Sequence, residues 1–453
     1  MHAEISPLDG RYRGRIGHLS VYFSEFALMQ ARCFVELSYI EALDQTGLFS
    51  PLTGAEKERI TQAKGTFTEE DFARIKAIEE AVNQDVKACE LFLRERLQLE
   101  KPGLIHFGLT SEDVNNLAYN RLFEAYRIEQ QLPLLKQLLE GLVGMVETWR
   151  AVPFPTRTHG QAASPTTAGK ELAVFLARLL RQYRDLRQFR FRGKLNGATG
   201  NHSAHMAAFP EHDWIAFSRR FVAGLGFDVN PCTTQIEDHD TWSAYFSLTE
   251  RINGIVLDMD RDAWAYISRG WFRLKPKGDE VSSSTMPHKV SPINFENSEG
   301  NLILSNALLT ALSDHLTQSR MQRDLSDSTM TRNAGVALGH AHLALTETLR
   351  GLEKLALDEE AIGCELENTP EVLAEAYQTI LRTTAVDDPY TLLKAFTRGQ
   401  AVSLADLHRF VDGLDVSDAV KAELKALEVR NYVGAAERIC KSVVDEAKKE
   451  LAR

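Results

Sequence analysis

The chain has 453 residues, 44% hydrophobic and 25% charged, with 63 acidic against 52 basic side chains and a net charge of −11. This suits a globular chain with a large core and argues against disorder, while the negative balance disfavours a general nucleic-acid or anionic-membrane binder. No apolar run approaches the roughly 20 residues of a membrane span, Met1 to Gly14 hold no apolar signal core, and Cys33, Cys89, Cys232, Cys364 and Cys440 form no Cys-x-x-Cys pair, so a reducing, cytoplasmic location is expected.

In chain order, residues 1–105 are predicted to form an N-terminal domain of shorter helices, one opened by the capping-box-like Thr68-Glu-Glu-Asp71, with a break at Lys101-Pro-Gly103. Within 106–357 apolar residues recur at steps of three and four from Leu132 to Trp149, Leu172 to Phe189 and Trp242 to Ile267, then from about Phe295 to Leu316 and about Val336 to Leu355. Such spacing predicts long helices, and five of them imply a central bundle. His159, between Pro155 and a helix expected near Thr166, is placed in a loop at a helix mouth. From about Asp358, short periodic segments broken by Asn368-Thr-Pro370, Asp387-Asp-Pro389 and Arg398-Gly399 predict a helical C-terminal domain, 358–453. The expected fold class is therefore all-α, with three helical domains.

Residues 281–301 crowd five serines, three of them consecutive, a threonine, Lys289, Glu296 and Glu299 into one polar segment. Ser and Thr compete with the helix for backbone hydrogen bonds, and Pro287 and Pro292 forbid a continuous helix before about Ile293. A catalytic loop near 275–293 is expected, with Lys275 to Asp279 as its hinge.

Ser283-Ser-x-Met-Pro-x-Lys-x-x-Pro292, followed by Glu296 and Gly300-Asn301, resembles the signature of the fumarase/aspartase superfamily, whose lyases release fumarate by β-elimination. Within it the chain is most similar to the adenylosuccinate lyases of the long bacterial type, essentially end to end. Ser6-Pro-Leu-Asp-Gly-Arg-Tyr12, Thr110-Ser-Glu-Asp-Val-Asn-Asn116, Arg157-Thr-His-Gly-Gln161, Asn196-Gly-Ala-Thr-Gly-Asn201, Thr233-Thr-Gln-Ile-Glu237 and the stretch from Arg320 to Arg332 follow in that family's order.

Such an elimination needs a base for a weakly acidic proton beside a carboxylate and an acid for the departing nitrogen. The resemblance implies His159 as the acid, Glu296 as its orienting partner, Ser283 as the base and Lys289 as stabiliser of the dianionic carboxylate. It also implies that Arg11, Tyr12, Arg323, Ser328 and Arg332 hold phosphate and ribose, and that Thr110, Ser111, Gln235, Lys289 and Asn297 hold the succinyl group and base. Asn83, Gln84, Asp85 and Ser291 fall at further substrate-binding positions. Gln84 stands where the family has histidine, Ser291 where it has asparagine and Ser282 where it has glycine. The implied partners are a small nucleotide and copies of the same chain, three of which meet at each site of a homotetramer; no cofactor, metal, nucleic acid or membrane is expected. The alternatives are a sister lyase for another N-substituted succinate, a metallohydrolase using His202, His205, His212, Glu237, His239 and Asp240, or a purely structural helical protein. Against the metal reading, no His-Glu-x-x-His spacing occurs.

Overall fold

A computed structural model describes residues 4–275, 285–286, 288–399 and 402–453. The five predicted long helices are present as Leu132–Trp149, Ala168–Arg187, Asp240–Ser268, Ile293–Leu316 and Ala334–Lys354. The last but one starts at Ile293, the first residue after Pro292, as the missing proline N–H requires. The described strands are short and form three two-stranded sheets. No helix is long and apolar enough to cross a membrane among the described residues.

Two compact units are each built from three stretches of chain: 1–134, 182–254 and 300–344 in the first, 135–181, 255–299 and 345–453 in the second. In the first unit, helix Glu25–Asp44 packs on helix Ser111–Tyr126. The 20 residues of Glu25–Asp44 correct the expectation of only shorter helices before residue 105. Its buried residues include Arg32 and Glu36 and lie around most of its circumference, so it shows no single apolar stripe. Nearby helices start at side-chain caps: Thr68 and Asp71 form a capping box, and Gln84 caps Asp85–Leu97 by accepting the Lys87 N–H. Phe123, Phe191, Trp242, Tyr245 and Phe246 form an aromatic core, pinned by the Trp242 indole N–H, which donates to Asn120 Oδ1 at 2.6 Å.

In the second unit, strands Pro153–Thr158 and Gln161–Thr167 form an antiparallel hairpin. The register shifts between Phe154 and Thr156, where Pro155 has no N–H for the ladder. Phe154 anchors the hairpin among Tyr266, Trp271 and Phe272. The final segment supplies helices Glu359–Glu367 and Ala436–Leu451, with helices Ala374–Leu381, Pro389–Thr397, Leu404–Asp412 and Asp418–Lys425 between.

Candidate active site

The first unit brings together many of the predicted substrate-binding residues, and the joining groups are largely ones that the motifs did not single out. Asn83 ends helix Glu69–Val82 in a left-handed conformation, φ 53°, and the chain turns directly into Gln84 and Asp85. Gln84 uses both ends of its amide: Oε1 takes the Lys87 N–H, and Nε2 donates to Ser111 Oγ at 3.1 Å. Asp85 is gripped by Arg32 at 2.8 Å and Arg332 at 3.1 Å. From Arg32 the chain of polar contacts continues through Asn115 Oδ1 (2.9 Å) and Asn115 Nδ2 to Glu112 (2.7 Å), then to Arg323 (2.9 Å), which donates to Ser328 Oγ at 3.2 Å. One network thus ties Gln84-Asp85, Ser111 and the Arg323 to Arg332 segment.

Charge and burial set the state of this network. Burial pushes the Asp85 carboxyl up, but the Arg32 charge and hydrogen bond, the Val86 N–H and the Arg332 charge outweigh it and hold the group below the ordinary range. Tyr119 goes the other way, pushed up to about 12 by burial despite the nearby Arg32 and Arg332 charges. Arg32, Asp85, Tyr119 and Arg332 line a cleft of about 470 Å³ together with Tyr22, Phe23 and Phe123. The cleft therefore has aromatic walls and cationic and anionic side chains, a suitable lining for a polar aromatic ligand.

Asp113 fixes the neighbouring turn. Its carboxylate accepts the Thr110 N–H at 2.9 Å and the N–H groups of Asn196 (3.0 Å) and Gly197 (3.1 Å), with Lys194 Nζ at 3.2 Å. Two quoted motifs meet in this way. A third joins them: Gln235 donates to the Ala198 carbonyl at 3.2 Å, and a Cβ on Gly200 would lie 2.0 Å from the Thr233 carbonyl, so only glycine fits there. Arg11 lies over the Tyr12 ring at 6.0 Å.

In the second unit, His159 does not occupy a loop at a helix mouth. It is the exposed first residue of a two-residue hairpin turn, with φ 53° followed by Gly160 at 76°. Two positive φ values are what a tight hairpin turn needs, and glycine supplies one at no steric cost. Glu296, in the first turn of helix Ile293–Leu316, accepts the Trp264 indole N–H at 3.1 Å; within one chain no hydrogen bond or ion pair joins it to His159 among the described residues. Asn297 follows it on that helix, half-buried. Lys289 is exposed, its backbone N–H bonded to the Met286 carbonyl at 3.1 Å. Ser291 lines a 140 Å³ recess with Asn294, Phe295 and Lys354. Ser283, Ser282 and the hinge residues 276–279 lie outside the described residues.

The histidines of the metal reading are used otherwise. His205 Nε2 lies 2.9 Å from the Tyr39 hydroxyl, and His239 stacks on Trp242. No cluster of three or more His, Cys, Asp or Glu side chains suited to a metal occurs among the described residues.

The long-helix fold and the ordered motifs define a lyase of the fumarase/aspartase superfamily. A family model described as "Lyase" matches residues 11–308, and one described as "Adenylosuccinate lyase C-terminal" matches residues 319–433. Solved structures share the fold: a fumarate lyase from Mesorhizobium sp. BNC1 aligns with TM-score 0.78 at 17% identity, covering 95% of this chain and 97% of that one. A 3-carboxy-cis,cis-muconate lactonizing enzyme from Pseudomonas putida aligns with TM-score 0.77 at 20% identity, covering 96% and 97%. The adenylosuccinate lyase of Escherichia coli (strain K12) is 44% identical over 453 residues, 98% of each chain. That of Haemophilus influenzae is 43% identical over 440 residues, 95% of this chain and 96% of its own. The chain belongs to the adenylosuccinate lyase family.

Proposed function

We propose that the chain catalyses β-elimination of fumarate from adenylosuccinate, leaving AMP, and from the succinylated aminoimidazole carboxamide ribotide (SAICAR, leaving AICAR) in purine biosynthesis. The observation that carries this reading is the polar network of the first unit, which joins Gln84-Asp85, Ser111, Arg323, Ser328 and Arg332 in a chain similar to adenylosuccinate lyases over nearly its whole length. Arg11, Tyr12, Arg323, Ser328 and Arg332 hold the phosphate and ribose, guanidinium forks matching phosphate oxygens. Thr110, Ser111, Gln235, Lys289 and Asn297 hold the succinyl group and base, and Asn83, Gln84, Asp85 and Ser291 are further substrate-binding residues.

In the reaction, Ser283 removes the proton beside the succinyl carboxylate, Lys289 stabilises the dianion that forms, and His159 protonates the nitrogen as its bond to carbon breaks. Glu296 orients His159 from another chain. That pairing requires assembly, and we propose a cytoplasmic homotetramer with shared sites. Exposed apolar side chains on helix Ile293–Leu316 support it: Ile293 and Ile303 are each 49% exposed and Leu304 53%. In linear terms, 1–105, 106–357 and 358–453 are the proposed N-terminal, central and C-terminal domains.

A second reading, a sister lyase for another N-substituted succinate, is favoured only by Gln84, Ser291 and Ser282 departing from the family pattern. Fumarate release from a panel of N-substituted succinates decides between them. Preference for adenylosuccinate supports the first reading; a higher kcat/KM for another member of the panel overturns it.

A further inference from the structure

We propose that Arg157 and Glu365 form a positioning clamp for His159, through which the C-terminal segment sets the aim of the imidazole. The inference rests on the reading of His159 as the general acid. At the exposed tip of a hairpin, with no side-chain partner among the described residues, His159 is placed by the backbone of its turn. That backbone is held by Arg157, whose Nη1 donates to the Gly160 carbonyl at 3.1 Å. The other arm of the same guanidinium, Nη2, is paired with Glu365 on helix Glu359–Glu367, and the plane lies 5.9 Å from the centre of the buried Trp271 ring. Because the guanidinium is a rigid fork, fixing one arm fixes the direction of the other. Each partner of the pair is 26% exposed, so water screens it less than a surface pair.

A second tie holds the opposite strand. Ser164 donates its hydroxyl to Glu375, which also accepts from the Tyr432 hydroxyl at 3.1 Å. Both strands beside His159 are therefore anchored to the C-terminal segment. Misplacing a reacting group by about 1 Å can cost about 10²-fold in rate, so a loosened turn affects the proton transfer more than substrate affinity.

The test is a double-mutant cycle on the full-length protein: Glu365→Gln in the wild-type and His159→Ala backgrounds, measuring kcat and KM for fumarate release from adenylosuccinate, with folding and assembly followed by circular dichroism and sedimentation. The expected result is a roughly tenfold loss of kcat in the wild-type background with KM within about twofold, and less than about twofold loss once His159 is gone, because no imidazole remains to be aimed. The reversed pair, Arg157→Glu with Glu365→Arg, is expected not to restore the loss, because a carboxylate at 157 cannot donate to the Gly160 carbonyl; restoration would overturn the clamp. Equal losses in both backgrounds, or an unchanged kcat in Glu365→Gln, overturn the clamp while leaving the acid assignment standing. Wild-type turnover in His159→Ala overturns both. If Glu365→Gln fails to assemble, Arg157→Lys, which keeps the charge but not the fork, runs through the same cycle.

Discussion

Asp85, Arg323 and Arg332 in the first unit are each held in ion pairs, whereas His159 and Lys289 in the second are exposed and have no side-chain partner among the described residues. The contrast follows from what each set of groups has to do. Binding groups gain from being fixed beforehand, since ordering them during association subtracts from affinity. A proton donor or an anion stabiliser must keep the atom that faces the substrate open, and Glu296 of another chain, the partner proposed for His159, would take only the second ring nitrogen. Pre-wired binding and open chemistry are thus two answers to different demands.

The sharpest way to break the comparison is to remove the chemistry alone. His159→Ala and Ser283→Ala should each lower kcat by roughly 10²-fold or more, the usual scale for acid–base catalysis, with KM little changed. A large rise in KM with kcat preserved would show that these groups bind rather than react. Arg32→Met attacks the other side. It leaves the Asp85 carboxylate to Arg332 and the Val86 N–H and takes the donor from the Asn115 amide oxygen, so a loss of up to about 3 kcal/mol in denaturant stability is expected, the low end for breaking a buried pair, together with a raised KM.

Two carboxyls make the contrast visible in pH. Asp85 is held below the ordinary aspartate value of 3.8, so its contribution to stability is present above that value and is lost as pH falls through its lower folded pKa. Asp260, in the second unit, is pushed up to about 8 by burial, against the hydrogen bonds from Ser298 and Thr348. The folded state therefore keeps a proton there that the unfolded chain releases near 3.8, and stability falls as pH rises from that value to about 8. Asp260→Asn should flatten that slope, and Asp85→Asn should flatten the acid limb; denaturation midpoints from pH 3 to 9 would reveal either failure. The smallest effect belongs to Gln84→His. An imidazole can accept from Lys87 and donate to Ser111 as the amide does, so kcat/KM should stay within about threefold, whereas Gln84→Ala should lose the cap at about 0.5–2 kcal/mol.

Four of the long helices were legible because one apolar face repeats along each; the fifth, whose buried face mixes Ser298 and Ser305 with Leu302 and Leu309, was legible by the proline before Ile293. Helix Glu25–Asp44 was not, since burial of Arg32 and Glu36 among its apolar residues erases the stripe by which an amphipathic helix is recognised. The hairpin around His159 was hidden by Pro153, Pro155 and Gly160, which punctuate the sequence like a loop although the prolines sit at a strand start and a bulge. Most of the proposed site residues came from ordered motifs, but their wiring did not. Glu112 and Asn115 lay within a quoted motif without an assigned role. Nothing local marks Arg32 as their partner, because 83 positions separate it from Asn115 and only the packing of two helices brings them together.

Calorimetric titration of adenylosuccinate into inactive variants tests the division between binding and chemistry most directly. His159→Ala should bind it with an affinity within about threefold of the wild-type Michaelis constant while releasing almost no fumarate, and Arg323→Ala in the same background should weaken binding at least about tenfold, some 1.4 kcal/mol. Binding lost in His159→Ala, or left unchanged when Arg323→Ala is added to it, would contradict the account.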